Sequence, residues 1–556
     1  MLWDRAFDGD PEWAAGQAKI LADERDDSAE RAILVAAQAL CEIVACRYAD
    51  GTITAARASI LARDARGPLA EDARYFCDGT RLLAAAMIEP EPTGVDPKVE
   101  LPRLAELQEY ALTIDASRPE RLLLAMPVIE ATMASGEFSE VDRLVTGLRP
   151  FTEADDQHST VIRATMDAVF ARSLAFRGDL DALVDECSGI LDRAAGRRQP
   201  QVVMLAEALL CYAAGQRADR NEVELRSARV LTTAHGRANY VAVGSSLLVT
   251  WAFSAIGQIQ RAAALVVAAS GGPHLPRIKT WDRAFGYELL VTAALRRGDL
   301  TAARSWAALA EPLAARPVAA AAVERTLSRV AVAAGDHADA VHRAAASARL
   351  DALSGAKLDG LRGRVLHASA LASTGDHARA ELALTQIAAE ADKLGAASVR
   401  KLATQEWRAL TKDKRASRGG FASLSDRERE IAVLVAEGHT NRSIGITLFL
   451  SERTVQTHLS HILSVLGLPS RTAMPAALGI DIGIGSTTPD APTLTERQEQ
   501  IAQLIARGHP NSVIASELGI SVKTVENHLA VIFTKWQVSS RTAVANMLVA
   551  RDRASL

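Results

Sequence analysis

The residues of this chain best suited to chemistry lie in two short stretches near its C-terminus. In the first, Arg453, Thr454, Gln456, Thr457 and Ser460 are interleaved with Val455, Leu459 and Ile462. In the second, Lys523, Thr524, Glu526, Asn527 and Ala530 are interleaved in the same register with Val525, Leu529 and Ile532. At helical spacing the apolar series turns inward and the remaining positions turn outward. Apart from Ala530, which offers only an apolar contact, side chains of these types recognise by hydrogen bonding rather than by covalent chemistry. Gln and Asn match the donor and acceptor on adenine, Glu accepts from cytosine N4, and Arg, Lys and Thr reach phosphates, which position a duplex without reporting its sequence. A solvated helix face carries the same residue types, and for any single position both readings stand. His458 and His528 fall between the two faces, where packing or a phosphate contact suits them better than catalysis or metal binding.

These stretches need a scaffold, and the flanking sequence supplies it twice. Residues 424–473 and 494–543 align without a gap at an offset of about 70 residues and share roughly 20 of about 50 positions, more than Ala- and Leu-rich composition provides. Ser425 with Glu428, and Thr495 with Gln498, form capping boxes that open a helix. Ile431, Leu434 and Val435, matched by Ile501, Leu504 and Ile505, give that helix an apolar stripe ending at Gly438 or Gly508, suited to a left-handed C-cap. Asn441 and Asn511 are placed to cap a short second helix holding Ile444 and Leu448, or Ile514 and Leu518, and Ser451 or Ser521 to cap the third. A short helix bracing another whose outward residues enter the major groove is the helix-turn-helix docking geometry.

On these residues both copies resemble the C-terminal domain of LuxR-type (NarL/GerE-like) regulators, whose pattern runs L-T-x-R-E, G-x-x-N, I-x-x-x-L, S-x-x-T-V-x-x-H-L and S-R-T-A. The last two pieces stand here as Ser451-Glu-Arg-Thr-Val-Gln-Thr-His-Leu with Ser470-Arg-Thr-Ala, and Ser521-Val-Lys-Thr-Val-Glu-Asn-His-Leu with Ser540-Arg-Thr-Ala. The resemblance covers about a fifth of the chain. It implies a four-helix domain in each copy, with base reading by Gln456, Thr457 and Ser460 and by Glu526, Asn527 and Ala530. Backbone contacts would fall to Arg453, Thr454, Lys523 and Thr524. The implied partner is operator double-stranded DNA, and family habit adds RNA polymerase, although an occupied promoter can equally be repressed.

The copies also depart from the family. Lys usually follows Thr-Val, where this chain has Gln456 and Glu526, so each groove contact loses a cation and some affinity for the polyanion. Gly445 replaces the usual Ala, at up to about 1 kcal/mol inside a helix, which makes the first head the less stable one by expectation. The family's fourth helix pairs two heads. In the first copy Pro475 falls inside it and removes a helical hydrogen bond, whereas the second copy runs on through Val544, Leu548 and Val549. A dimer contact of that kind therefore suits the second head rather than the first, and the sequence leaves monomer and homodimer both open.

The remainder sets the frame. Hydrophobic residues make up 49%, charged 23% and aromatic 4% of 556 residues, the profile of an Ala- and Arg-rich helical globule. A net charge of -4 excludes a uniformly basic DNA-coating protein and confines any nucleic-acid contact to local patches. One such patch is Lys412, Lys414, Arg415 and Arg418, readable as a charged linker or as a phosphate-contacting arm. Cys41, Cys46, Cys77, Cys187 and Cys211 have neither C-x-x-C spacing nor an even count, which suits reduced, mostly buried thiols. No signal peptide or membrane span is legible, so the expectation is a cytoplasmic, bacterial protein without membrane attachment. No P-loop, nucleophile elbow or metal-spaced Cys/His set appears, and the expectation is a non-enzyme without cofactor, metal or NTPase domain.

The N-terminal part repeats more weakly. Gly136, Gly178, Gly215, Gly257, Gly298, Gly335 and Gly375 recur roughly every 40 residues, each after an apolar run and before an acid or amide. Val141, Leu183, Ala262, Ala303, Ala340 and Ala380 follow five residues later, but Gly215 meets Arg220 there, and Gly51 with Ala55 suggests an earlier unit. This G-x-x-x-x-A turn resembles degenerate tetratricopeptide (TPR) repeats, similar to the sensor superhelix of MalT-like regulators. A non-repetitive helical domain is the other reading. The expected fold is all-α: a TPR-like α-solenoid (1–410) for sensing or interaction, a basic linker (411–423), a first head (424–479), a flexible-then-stiff tether (480–493) and a second head (494–556), the two heads being tandem four-helix LuxR-type domains. An unknown small-molecule or protein effector is expected on the solenoid. Trp251, Trp281, Tyr287 and Trp306 could line its groove or simply pack between hairpins. The expected function is a sequence-specific DNA-binding regulator reading a two-part operator. The alternative is an interaction scaffold whose heads serve assembly or weak nonspecific binding.

Overall fold

In the computed structural model of the protein, residues 5–6, 10–87, 103–113, 122–152, 160–195, 199–417, 424–468, 470–474, 492–536, 538, 541, 543–545 and 547–548 are described. Among them there are helices and turns and no strand. They divide into two units, Met1–Arg408 and Ala409–Leu556.

The first unit is an α-solenoid. Among the described residues most helices pack on their successors, and alternate helices also touch, as Pro200–Gln216 does Tyr240–Ala255 and Thr280–Arg296 does Pro317–Ala334. A hairpin in such an array buries its core only by stacking on its neighbours. Gly136, Gly178, Gly257, Gly298, Gly335 and Gly375 each reverse the chain with φ between +74° and +91°. Asp299, Asp336 and Asp376 then cap the next helix, accepting from the amides of Ala302, Asp339 and Arg379 at 2.9, 3.1 and 3.3 Å. The six small or apolar residues five positions past these glycines are fully buried.

Two expected turn glycines have other duties. Gly215 lies inside Pro200–Gln216, where a Cβ would stand 2.6 Å from the Ala252 Cα, so its smallness lets two helices touch. The reversal comes three residues later at Ala218, with φ +60°, followed by the cap Asp219 and, five positions on, the buried Val223. The break at Arg220 thus disappears once the unit is read from Ala218. Gly51 likewise sits within Tyr48–Arg63, five residues past the left-handed Cys46, and its missing Cβ admits Ile43. Cys41, Cys77, Cys187 and Cys211 are buried and Cys46 half-buried; all five are free, and burial pushes the Cys211 thiol up to about 12.

In the second unit each head has a core of its own. Asp426–Ala436, Asn441–Leu448 and Glu452–Leu466, followed by a short turn at Arg471–Ala473, enclose Ile431, Ile444, Val455 and Ile462. Glu496–Ala506, Asn511–Glu517 and Val522–Trp536 enclose Ile501, Ile514, Val525 and Ile532. Val544 and Leu548 pack into that second core, 0% and 4% exposed. Pro475, Val549 and the tether from 480 to 491 lie outside the described residues. The helix Ala397–Ser417 carries Lys412, Lys414 and Arg415 of the expected linker; Arg418 lies outside the described residues.

Candidate functional site

Capping chemistry builds both heads as the spacing requires. Ser425 and Glu428, and Thr495 and Gln498, satisfy each other's backbone amides. Gly438 and Gly508 follow in the left-handed region, at φ +94° and +87°. Ser451 and Ser521 accept from the amides of Thr454 and Thr524, each at 3.1 Å, and so start the third helix of each head. On that helix Val455, Leu459 and Ile462 are buried, as are Val525, Leu529 and Ile532. Opposite them Arg453, Gln456, Thr457 and Ser460 are exposed, as are Lys523, Glu526, Asn527 and Ala530, while Thr454 and Thr524 are half-buried. The ten expected contact residues therefore form one outward strip per head.

Their local bonds differ. Thr457 and Ser460 donate back to the Arg453 and Gln456 carbonyls, each at 3.0 Å. Gln456 accepts from Asn441, which orients its amide. Glu526 lies 3.4 Å from Lys523 on the same face, an exposed i,i+3 pair.

The asparagines were expected to cap the second helix and do not. Thr440 caps the first head, accepting from the Ser443 amide at 3.2 Å, and Pro510 stands at the cap of the second without a side-chain bond. Asn441 and Asn511 instead accept from Arg471 and Arg541, whose other Nη reaches the carbonyls of His439 and His509. The arginine of S-R-T-A is thus a clamp across the turn into the second helix. Arg427 and Arg497 form a second tie, donating to the Leu448 and Leu518 carbonyls at that helix's far end. A guanidinium supplies several donors in a fixed fork, so one side chain can secure two elements. Its equivalence in both heads marks these four arginines as positioning residues that spacing alone did not disclose.

Residues 422–475 and 492–548 match the family described as "Bacterial regulatory proteins, luxR family". Both C-terminal heads are LuxR-type domains. Among similar proteins, an HTH-type transcriptional regulator of Mycobacterium tuberculosis is 51% identical over 61 residues, 11% of this chain and 7% of that protein. The transcriptional regulatory protein LiaR of Bacillus subtilis is 52% identical over 50 residues, 9% of this chain and 24% of that protein. The chain thus spans under a quarter of the length of these relatives. A Rap protein solved with competence and sporulation factor superposes at TM-score 0.36 and 11% identity, over 69% of this chain and 98% of that one. The solenoid assignment rests on the helices and turns described above.

The solenoid holds a cavity of about 520 Å³. Trp251 lies on its wall, edge-on to Phe285 with ring centroids 6.2 Å apart. Tyr287 and Trp306 do not line it; they stack on each other at 6.2 Å, and Tyr287 is buried with its hydroxyl donating to the His274 carbonyl. The Trp281 side chain lies outside the described residues, although its position falls in Thr280–Arg296. Sequence reasoning missed the charges of the wall. Arg172 donates to Glu130, Tyr240 bridges Glu130 to Lys279 at 3.1 Å on either side, and Arg325 is shared by Glu288 and Asp351. Burial pushes the Glu130 carboxyl up, but Arg172 and Lys279 outweigh it and hold it below the usual range. Among the described residues no three His, Cys, Asp or Glu side chains cluster as a metal site needs, and no helix is long and apolar enough to cross a membrane.

Proposed function

We propose that this protein is a DNA-binding transcriptional regulator whose two LuxR-type heads read a two-part operator, with the solenoid as the control surface. The observation that carries the reading is the doubled strip of exposed residues on capped, core-anchored third helices. A single solvated face would be unremarkable. Two in identical register, each held by the same arginine clamps, are what a rigid reading head needs, because base contacts work only when their helix is fixed in the groove. On this reading Gln456, Thr457, Ser460, Glu526, Asn527 and Ala530 meet base edges, and Arg453, Thr454, Lys523 and Thr524 meet the backbone. RNA polymerase contact and homodimerisation remain compatible with it.

The test is selection of genomic DNA fragments by the purified full-length protein beside a double variant, Thr457→Ala with Asn527→Ala. Alanine suits both helix positions, so the fold is retained. Recovery of a two-part motif by the parent, absent with the variant, is the expected result. One observation favours the scaffold alternative: Glu526 places a carboxylate on the outward strip of the second head, where DNA would repel it. Binding that is salt-sensitive but blind to sequence, and unchanged in the double variant, would select that reading.

A further inference from the structure

The solenoid cavity is built to take a ligand of a particular chemistry. Its volume of about 520 Å³ falls within the range of about 300–1,000 Å³ typical of small-molecule sites. Part of that space exists because a side chain is missing. Gly244 lies on the wall, in the middle of Tyr240–Ala255, and a Cβ built on it would meet nothing within 4 Å. A glycine in a helix interior weakens the helix, and here no close backbone approach requires it. Leu247, Leu248, Trp251 and Phe285 supply an apolar and aromatic surface beside it.

The polar part of the wall is unbalanced. Eight Lys and Arg side chains line the cavity against three carboxylates. Several cations are paired in place: Arg172 with Glu130, Lys279 with Asp282, Arg325 with Glu288 and Asp351, and Arg362 with Asp359. The surplus is Arg220, Arg296, Arg329 and Lys401. Among the described residues Arg329 shares Glu288, at 3.6 Å, and its buried Nε meets no acceptor. Arg220 and Arg296 converge on one turn, donating to the carbonyls of Ile256 and Gly257 at 2.8 and 3.5 Å, and among the described residues neither pairs with a carboxylate. Guanidiniums on a cavity wall that carries more cations than carboxylates are an anion-binding arrangement, because the fork matches carboxylate or phosphate oxygens.

We propose that this cavity binds a small amphipathic organic anion, its apolar body against Trp251 and Phe285 beside Gly244 and its acidic group on the Arg220, Arg296 and Arg329 guanidiniums. As the effector site of a regulator the assignment rests on the function proposed above, but as a binding site it does not, and it is tested without DNA.

Two fluorescent probes of the same body isolate the charge: 1-anilinonaphthalene-8-sulfonate and its uncharged counterpart N-phenyl-1-naphthylamine, each titrated into the full-length protein. Saturable binding of the sulfonate at one site per chain is expected. Arg220→Gln with Arg296→Gln should weaken the sulfonate about tenfold or more while leaving the neutral probe within about twofold, the size of lost charge-assisted hydrogen bonds. Gly244→Leu, which fills open space and favours the helix, should displace both probes with an unchanged helical circular dichroism spectrum. No sulfonate binding, equal loss of both probes in the arginine variant, or undiminished binding in Gly244→Leu would each overturn the proposal. A DNA-selection failure with these results intact would overturn the regulator reading and leave the site.

Discussion

At Gly445 the backbone of the first head comes too close for a side chain. The Leu450 amide donates to the Gly445 carbonyl at 2.8 Å, and a Cβ on Gly445 would stand 2.7 Å from the Leu450 carbonyl oxygen. The closure depends on Phe449, which adopts the left-handed region at φ +54° while 95% exposed. The second head makes the same turn with Gly519 at φ +64° and carries Ala515 where the first has Gly445. Helix propensity alone assigns Gly445 a cost of about 1 kcal/mol relative to Ala, but the close approach reverses the sign. Gly445→Ala should destabilise the first head by about 1–3 kcal/mol, the cost of overpacking. Phe449→Gly should stabilise it by about 1 kcal/mol, since little contact is lost and left-handed strain is relieved. Thermal melts of the full chain, read with a probe on the first head, check both; a gain from Gly445→Ala would restore the propensity reading. The outward strips were legible because 3.6-residue periodicity fixes which side chains face out. The roles of Asn441, Asn511, Arg471 and Arg541 were not, because a clamp between residues 30 apart leaves no local spacing to read.

At the scale of helices, the array's turns were legible wherever glycine itself took the left-handed position. They were missed at Cys46 and Ala218, because residues with a Cβ there give no sequence signal. The buried charges between helices were also invisible, since they join Pro317–Ala334, His337–Ser354 and Thr280–Arg296 across the stack. They have a measurable consequence. Burial raises the Asp351 carboxyl to about 6 even though Arg325 lies 2.8 Å away, because Glu288 shares that guanidinium and Asp359 adds a like charge. In the unfolded chain the group titrates near 3.9. The folded state thus binds this proton more tightly, and the associated stability is fully present below about pH 4 and lost as pH rises through about 6. The urea midpoint of the solenoid should therefore contain a component that falls between about pH 4 and pH 6, and Asp351→Asn should flatten that component whatever it does to the absolute midpoint. An unchanged slope in the variant would assign the proton elsewhere.

For the whole molecule, two heads in one chain predict a specific pattern of loss. Once one head is bound, the other is held near the same duplex, and two modules joined by a short linker reach an effective concentration of order millimolar. If both heads sit on one operator, the overall Kd is the product of the two weak Kd values divided by that concentration. Disabling either head then costs up to about a hundredfold. Thr457→Ala and Asn527→Ala, made singly in the full chain, should therefore each weaken operator binding strongly, with the double variant reduced to nonspecific affinity. Salt dependence gives an independent reading: log K falls with log[salt] in proportion to the phosphates neutralised, so engagement of one head instead of two should roughly halve the slope. Fluorescence anisotropy on a labelled operator at several salt concentrations measures both quantities. A silent Asn527→Ala with an undiminished slope would mean that the second head does not share the duplex, and its Glu526-bearing strip would then be the surface to test against a protein partner.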